Sequence, residues 1–134
     1  MGDAEDVLTV NQTFYRAFSD GDMDAMNALW SSAAPVACIH PGWATLTGRD
    51  TVMDSWRTIL DSPGRPNITC RDAEAHELGD AAYVTCYEDV GAGVLAATNI
   101  FVLEDGAWRM VHHQAGHTVT LGIGAADAPT GVVH

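Results

Sequence analysis

Apolar residues follow the period of an α-helix in the first part of the chain. They recur every three or four positions between Val7 and Phe18, and this spacing predicts a helix over residues 5–20. A Ser-Asp-Gly-Asp break follows, and its last residue, Asp22, is a good N-terminal cap for the next apolar face. A second, short helix is therefore predicted over residues 22–31.

The next segment predicts one short strand and a third helix. Residues 36–40 form an apolar run that ends at a Pro-Gly pair, which is typical of a strand. Thr47 and Asp50 are spaced as a capping box, and apolar residues follow them at helical intervals. The third helix is predicted to end near Ser62.

After Pro66 the apolar period changes to two residues, the period of a strand. Four strands are predicted, over residues 67–78, 81–90, 94–104 and 107–118. Asp105 and Gly106 form a two-residue hairpin signal between the last two. Helices followed by a strand meander predict an α+β fold. We expect a single domain over residues 1–120 and a flexible tail over residues 121–134.

The predicted turns indicate which side chains share a face of the sheet. The last hairpin places Asn99 opposite His112. A three-residue loop at 91–93 places Thr85 opposite Asn99. A shift of this second pairing by one residue would exchange the two faces of the strand before the loop.

The two predicted faces differ in character. One is aromatic with polar residues at its centre, and it suits a ligand cavity. The other is smaller and more aliphatic, and it suits packing against another sheet. The first face carries Tyr83, Thr85, Tyr87, Asn99, Phe101, Trp108, Met110, His112 and Gln114. The second carries Ala82, Val84, Cys86, Ile100, Val102, Val111 and His113.

The charge balance disfavours several kinds of partner. Six basic and 18 acidic residues give a net charge of −12, which repels nucleic acid and anionic membranes. No apolar stretch is long enough to span a bilayer, and the acidic N-terminus lacks the apolar core of a secretory signal. We therefore expect a cytoplasmic protein with no nucleic-acid and no membrane partner.

Cysteine and histidine spacing favours neither a disulfide nor a metal site. The three cysteines form no C-x-x-C pair, and only Cys38, two residues before His40, has a base on the same face of a strand. His113 and His117 share a face but lie roughly 13 Å apart at about 3.3 Å per residue, and His112 faces away from both. No metal and no cofactor are expected.

Several motifs resemble those of the nuclear transport factor 2-like, or SnoaL-like, superfamily. They are the helix–Gly-Asp–helix opening at 14–26 and the segments 38–43, 48–50, 55–56, 98–101 and 108–113. The resemblance implies the cystatin-like cone, a curved antiparallel sheet wrapped around three N-terminal helices. It also implies a deep pocket and a homodimer formed through the outer face of the sheet.

The resemblance does not extend to the catalytic residues of ketosteroid isomerase, one member of this superfamily. That enzyme needs a tyrosine in the first helix, where this chain has Phe14 with Tyr15 beside it. It also needs a carboxylate before a proline, where this chain has His40 before Pro41. Its third group, a protonated aspartic acid, has no match, so steroid isomerisation is not expected.

A second member, the association domain of the calcium/calmodulin-dependent kinase, carries two arginines in its pocket. They correspond to Thr85 and Asn99 in this chain. Because these two side chains are neutral, the resemblance implies a neutral or weakly cationic ligand rather than a carboxylate.

The candidate site combines one proton-transfer group with aromatic and neutral polar side chains. His40 is the candidate catalytic residue, because imidazole titrates near neutral pH. The predicted ligand, a small apolar or aromatic molecule, would be bound by Tyr15, Trp43, Trp56, Thr85, Tyr87, Asn99 and His112.

Two functions follow from this site. One is a cofactor-free isomerase, cyclase or dehydratase that acts on a small apolar carbonyl compound. His40 would exchange the proton, and Tyr15, Asn99 or His112 would hold the carbonyl oxygen. The other is a non-catalytic ligand-binding or oligomerising module of the same fold.

Overall fold

The structure, a computed structural model, describes residues 2–118. The three helices are α1 Asp3–Asp20, α2 Met23–Leu29 and α3 Arg49–Asp61. The six strands are β1 Ala37–Ile39, β2 Leu46–Thr47, β3 Thr69–Glu77, β4 Ala81–Asp89, β5 Val94–Glu104 and β6 Ala107–His117. The predicted helices and strands are confirmed to within three residues at their ends. The predicted tail at 121–134 lies outside the described residues.

One six-stranded sheet, in the order β2-β1-β6-β5-β4-β3, packs against the helices. Its strands pair antiparallel except β1 and β6, which run parallel, so the sheet is mixed. The predicted α+β class is confirmed, because helices pack against a mainly antiparallel sheet. The largest fully buried side chains come from all three helices and from the sheet, and they include Phe14, Met26, Trp56, Phe101 and Met110. No helix within residues 2–118 has the length and apolar character needed to cross a membrane.

One predicted helix cap is confirmed and one is wrong. The Asp22 side chain accepts a hydrogen bond from the backbone of Ala25 at 3.0 Å, as an N-cap does. At α3 the cap is Gly48 and not Thr47, because Thr47 pairs with Ala37 in the sheet. The positive φ of Gly48 (89°) turns the chain from β2 into α3.

The predicted Asp105-Gly106 hairpin is confirmed, with positive φ at both residues (49° and 82°). Farther along the same strand pair, however, Phe101 pairs with Met110 while Ile100 pairs with His112, so that Val111 forms a β-bulge. The extra residue shifts the register by one. Asn99 therefore lies opposite His113, and its predicted pairing with His112 is wrong.

The predicted pairing of Thr85 with Asn99 is also wrong. Asp89 pairs with Val94, so the connecting loop spans residues 90–93, one more than expected, and Thr85 pairs with Thr98. A shift by one residue turns every side chain of β4 to the other face.

These two shifts determine which side chains of the sheet face the helices. The buried side chains of the core face are Ala82, Val84, Cys86, Glu88, Leu95, Ala97, Asn99, Phe101, Trp108, Met110, His113 and Ala115. The outer face carries Tyr83, Thr85, Tyr87, Thr98, His112 and Gln114, none of which is buried. The predicted aromatic face of β4 is therefore the outer one, and its small apolar face is the core.

Candidate functional site

A cavity of about 210 Å³ lies between the helices and the core face of the sheet. Most of its lining is apolar or aromatic: Phe14, Phe18, Pro41, Trp43, Trp56, Ile59, Pro66, Ile68, Val90 and Leu95. Its polar lining consists of His40, Glu88 and His113, each at most 3% exposed. An apolar cavity with a few convergent polar groups is the usual form of a small-molecule site.

Three of the residues predicted for the site line this cavity, namely His40, Trp43 and Trp56. Trp43 lines the cavity and is 44% exposed to solvent. Tyr15 and Asn99 are buried behind the lining and reach it through hydrogen bonds to Glu88 and His113.

The other three predicted residues lie away from the cavity. Thr85 and Tyr87 line a groove on the outer face of the sheet, and His112 lines a shallow depression beside β1 and β2. The four-residue loop and the β-bulge account for these placements. The loop reverses the predicted direction of the β4 side chains before it, and the bulge reverses that of the β6 side chains after it.

The hydrogen bonds of His40 determine its tautomer. His40 Nε2 lies 2.9 Å from Ser55 Oγ, and Ser55 Oγ donates its only hydrogen to the carbonyl oxygen of Val52 at 2.6 Å. The hydroxyl must therefore accept from His40, which places the proton on Nε2 and the lone pair on Nδ1. Because Ser55 gives its proton to the backbone, it is not activated as a nucleophile.

Aromatic rings surround His40 on two sides. Its ring centroid lies 4.6 Å from that of Trp56 and 4.7 Å from that of Trp43, in edge-to-face geometry. Burial in this setting lowers the pKa of His40 to about 4. At neutral pH the imidazole is uncharged and can accept a proton.

Asn99 is the centre of a buried polar network on the core face. Its Nδ2 donates to Asn11 Oδ1 at 2.8 Å and to the Tyr15 hydroxyl at 3.2 Å. Its Oδ1 accepts from His113 Nδ1 at 2.6 Å. The Tyr15 hydroxyl in turn donates to Glu88 Oε2 at 2.7 Å. The network thus fixes the two cavity residues at its ends, His113 and Glu88.

His113 carries a lone pair that no donor within residues 2–118 contacts. Because Nδ1 donates to Asn99, the neutral ring carries its lone pair on Nε2, which lies 3.8 Å from Glu88 Oε2. Burial, with smaller contributions from the neighbouring His40 and His112, lowers the pKa of His113 to about 3. His113 is therefore a second neutral acceptor at pH 7.

Glu88 is a carboxyl group inside the core, 2% exposed. Burial raises its pKa above the usual range, and the hydrogen bond from Tyr15 opposes that shift. The Tyr15 pKa is raised as well, first by burial and then by the neighbouring Glu88 charge. The tyrosine therefore acts as a hydrogen-bond donor and not as a phenolate.

The sequence reasoning did not identify Glu88 or His113 as site residues. A signal for Glu88 was present, since it continues the buried alternation of Ala82, Val84 and Cys86. A carboxylate on the apolar face of a strand is rare unless it is paired or functional. His113 had no comparable signal, because its direction depends on the bulge at Val111.

The thiol beside His40 is not a nucleophile. Cys38 Sγ lies 3.7 Å from Nε2 and 3.8 Å from Nδ1 of His40, at the long end of weak thiol hydrogen bonds. Burial raises its pKa to about 12, so the reactive thiolate is scarce at neutral pH. Within residues 2–118, no group of three or more His, Cys, Asp or Glu side chains is arranged to hold a metal ion.

Solved structures resemble this chain along most of its length. A proposed dehydratase of the NTF2-like family from Streptomyces avermitilis is 30% identical, with a TM-score of 0.79 over 88% of this chain and 97% of that one. A protein from Thiobacillus denitrificans, proposed to be a calcium/calmodulin-dependent protein kinase type II association domain, is also 30% identical. Its TM-score is 0.69, over 81% of this chain and 92% of that one.

Sequence comparison extends the similarity to plants and identifies the family. The F-box protein SKIP8 of Arabidopsis thaliana is 30% identical over 111 residues, which are 81% of this chain and 48% of that protein. The chain thus spans about half the length of this relative. The sequence profile of the SnoaL-like domain matches residues 7–119. The chain therefore belongs to the SnoaL-like domain family.

Proposed function

We propose that this protein is a cofactor-independent isomerase or lyase that moves a proton on a small apolar carbonyl compound. The observation that carries the proposal is the buried His40 on the wall of an apolar cavity, whose Nδ1 lone pair receives no N–H or O–H donor within residues 2–118 and has only the weak Cys38 thiol donor beside it. The similarity to the proposed Streptomyces avermitilis dehydratase supports the same class of chemistry.

His40 is the proton acceptor in this proposal. Its low pKa keeps the lone pair available at neutral pH. As a carbon-bound proton leaves, negative charge develops on the carbonyl oxygen inside the same apolar cavity. That charge stabilises the imidazolium and raises its pKa at the point where the proton is transferred.

Trp56 is the donor that we assign to the carbonyl oxygen. Its indole Nε1 is buried and has no acceptor within residues 2–118, and its ring lines the cavity. The donors considered from the sequence are less suitable. The Tyr15 hydroxyl and the Asn99 amide donate within the protein, and His112 lies on the outer face.

Proton exchange tests this function without knowledge of the natural substrate. The α-protons of cyclohexanone, 2-cyclohexenone and acetophenone are followed in D₂O by proton NMR, with and without the protein. We expect exchange above the buffer rate for at least one ketone, and a loss of about 100-fold in His40→Gln. Glutamine keeps a donor at the Nε2 position for Ser55 but removes the Nδ1 lone pair.

His76→Gln is the matched control, since His76 is exposed on β3 and stacks on Tyr83. It should exchange protons as fast as the wild type. Exchange at the buffer rate for all three ketones, or equal rates in His40→Gln and the wild type, would reject the catalytic proposal.

A second candidate function is self-assembly through the outer face of the sheet. Structures of association domains favour it: besides the Thiobacillus denitrificans protein, a S. rosetta CaMKII hub shares the fold, with a TM-score of 0.68 at 22% identity. The outer groove, which includes Thr85, Tyr87, Thr98 and Gln114, is the surface that we propose for a second copy of this chain.

Native mass spectrometry of the wild type and of Thr98→Arg tests this candidate. We expect a dimer or larger assembly that dissociates in the variant, because the arginine would lie within the interface. A wild-type monomer at micromolar concentration, or an unchanged assembly in the variant, would contradict it.

A further inference from the structure

We propose that the cavity binds a neutral, single-ring compound carrying a hydroxyl or N–H group, and that this group donates a hydrogen bond to Nε2 of His113. The inference rests on the cavity being the ligand site of the proposed function, but it does not require catalysis. In this inference, His113 determines which of several ligands of similar size binds most tightly.

The size of the cavity limits the ligand to about one ring. An apolar cavity of about 150 Å³ holds benzene in a well-studied protein. The cavity here measures about 210 Å³, which leaves room for a ring and a small substituent. The aromatic walls formed by Phe14, Trp43 and Trp56 suit a flat ligand.

The charges around the cavity favour a neutral ligand. Among the residues that the structure describes, no lysine or arginine lines it. A bound carboxylate would lose its hydration without gaining a counter-ion, and it would lie beside the buried carboxyl group of Glu88. An anion of the same shape as a neutral ligand should therefore be rejected.

The free lone pair of His113 determines which polar group the ligand needs. Nδ1 of His113 donates to Asn99, so Nε2 is an acceptor, and it has no donor within residues 2–118. Glu88 Oε2, 3.8 Å away, is too distant for a direct hydrogen bond. A ligand oxygen about 2.8 Å from Nε2 can donate its hydrogen to the imidazole.

Two pairs of probes separate these requirements by calorimetric titration at pH 7. Phenol and toluene match in size and differ in the hydroxyl donor, whereas benzamide and benzoate match in shape and differ in charge. We expect phenol to bind more tightly than toluene, and benzamide at least about 10-fold more tightly than benzoate. Equal or reversed order in either pair, or no binding of any probe at millimolar concentration, overturns the proposal.

His113→Asn assigns the effect to one nitrogen atom. The asparagine amide replaces the Nδ1–H donor to Asn99 but has no counterpart of Nε2. The ratio of phenol to toluene affinity should fall about 10-fold, the size of one hydrogen bond. His112→Asn makes the same change one residue earlier on the outer face and should leave the ratio unchanged. An unchanged ratio in folded His113→Asn overturns the role of His113.

The wild-type probe series decides the ligand class even if His113→Asn fails to fold. Failure here is also distinct from failure of the catalytic proposal. Selective binding without α-proton exchange would support this inference and reject catalysis. Exchange of ketone protons without preference for phenol over toluene would support catalysis and reject this inference.

Discussion

On acidification from pH 7 to pH 5, two buried histidines are together expected to lower the free energy of unfolding by about 4 kcal/mol. The cause is the pair of neutral imidazoles buried at the cavity. Burial lowers the pKa of His40 to about 4 and that of His113 to about 3, whereas an unfolded histidine titrates near 6.5. Below pH 6.5 the unfolded chain therefore binds protons that the folded chain cannot bind.

The sign and the size of this effect follow from the proton balance. A pKa lowered on folding makes stability rise with pH, here over the window from about pH 3–4 to 6.5. At pH 5 each histidine contributes about 2 kcal/mol in favour of the unfolded state. Glu88, which faces His113, acts in the opposite direction: its raised pKa means that protonation on acidification favours the folded state.

Urea unfolding at a series of pH values measures this dependence. In His113→Asn the loss between pH 7 and pH 5 should shrink by about 2 kcal/mol, and in the exposed control His76→Asn it should not change. Glu88→Gln removes the opposing contribution of the carboxyl group. Its free energy of unfolding should therefore be higher than that of the wild type at pH 7, and should fall more steeply on acidification. A loss that is the same in His113→Asn as in the wild type would show that His113 is not buried neutral.

Replacing Asn99 with leucine is expected to destabilise the fold by about 4 kcal/mol at pH 7. The side chains are similar in size, so the effect comes from hydrogen bonds and not from an empty space. The change leaves His113 Nδ1 without an acceptor and Asn11 Oδ1 without a donor, and it removes a donor to the Tyr15 hydroxyl. A buried polar atom without a partner costs about 1–3 kcal/mol, and here at least two result.

Thr69→Leu is the control for this prediction, because Thr69 is exposed at the start of β3 and lies outside the outer groove. Its effect should stay within about 0.5 kcal/mol. Chemical denaturation of both variants gives the comparison. A loss below about 1 kcal/mol in Asn99→Leu would mean that the network does not hold the core together.

The pH prediction points to a site whose titratable groups lower the stability of the fold. Two imidazoles and a carboxyl group occupy positions on the cavity wall where apolar side chains would pack without a desolvation penalty. Such groups are commonly found where a binding or catalytic site requires them. The expected stabilisation by Glu88→Gln measures how much the buried carboxyl group lowers the free energy of unfolding.

The sequence by itself determined the order and type of the main elements. The spacing of apolar residues in α1 and α3, the cap at Asp22 and the Asp105-Gly106 turn are local signals, and the structure confirms each of them. Local signals suffice here because helical periods, caps and two-residue turns depend on residues close together in the chain. His40, Trp43 and Trp56 also follow local motifs, and they line the cavity.

Only the tertiary structure decided which face of each strand meets the cavity. The side-chain direction along a strand has a period of two, so one additional residue reverses it. In β6 the additional residue is Val111, which forms the bulge. For β4 the additional residue belongs to the loop at 90–93, which is one residue longer than predicted. The packing of the sheet against the helices selects the small apolar residues of β4 for the core, and Glu88 is buried with them. The same selection places His113 on the cavity wall and His112 on the outer face, a distinction that two adjacent histidines in a sequence cannot reveal.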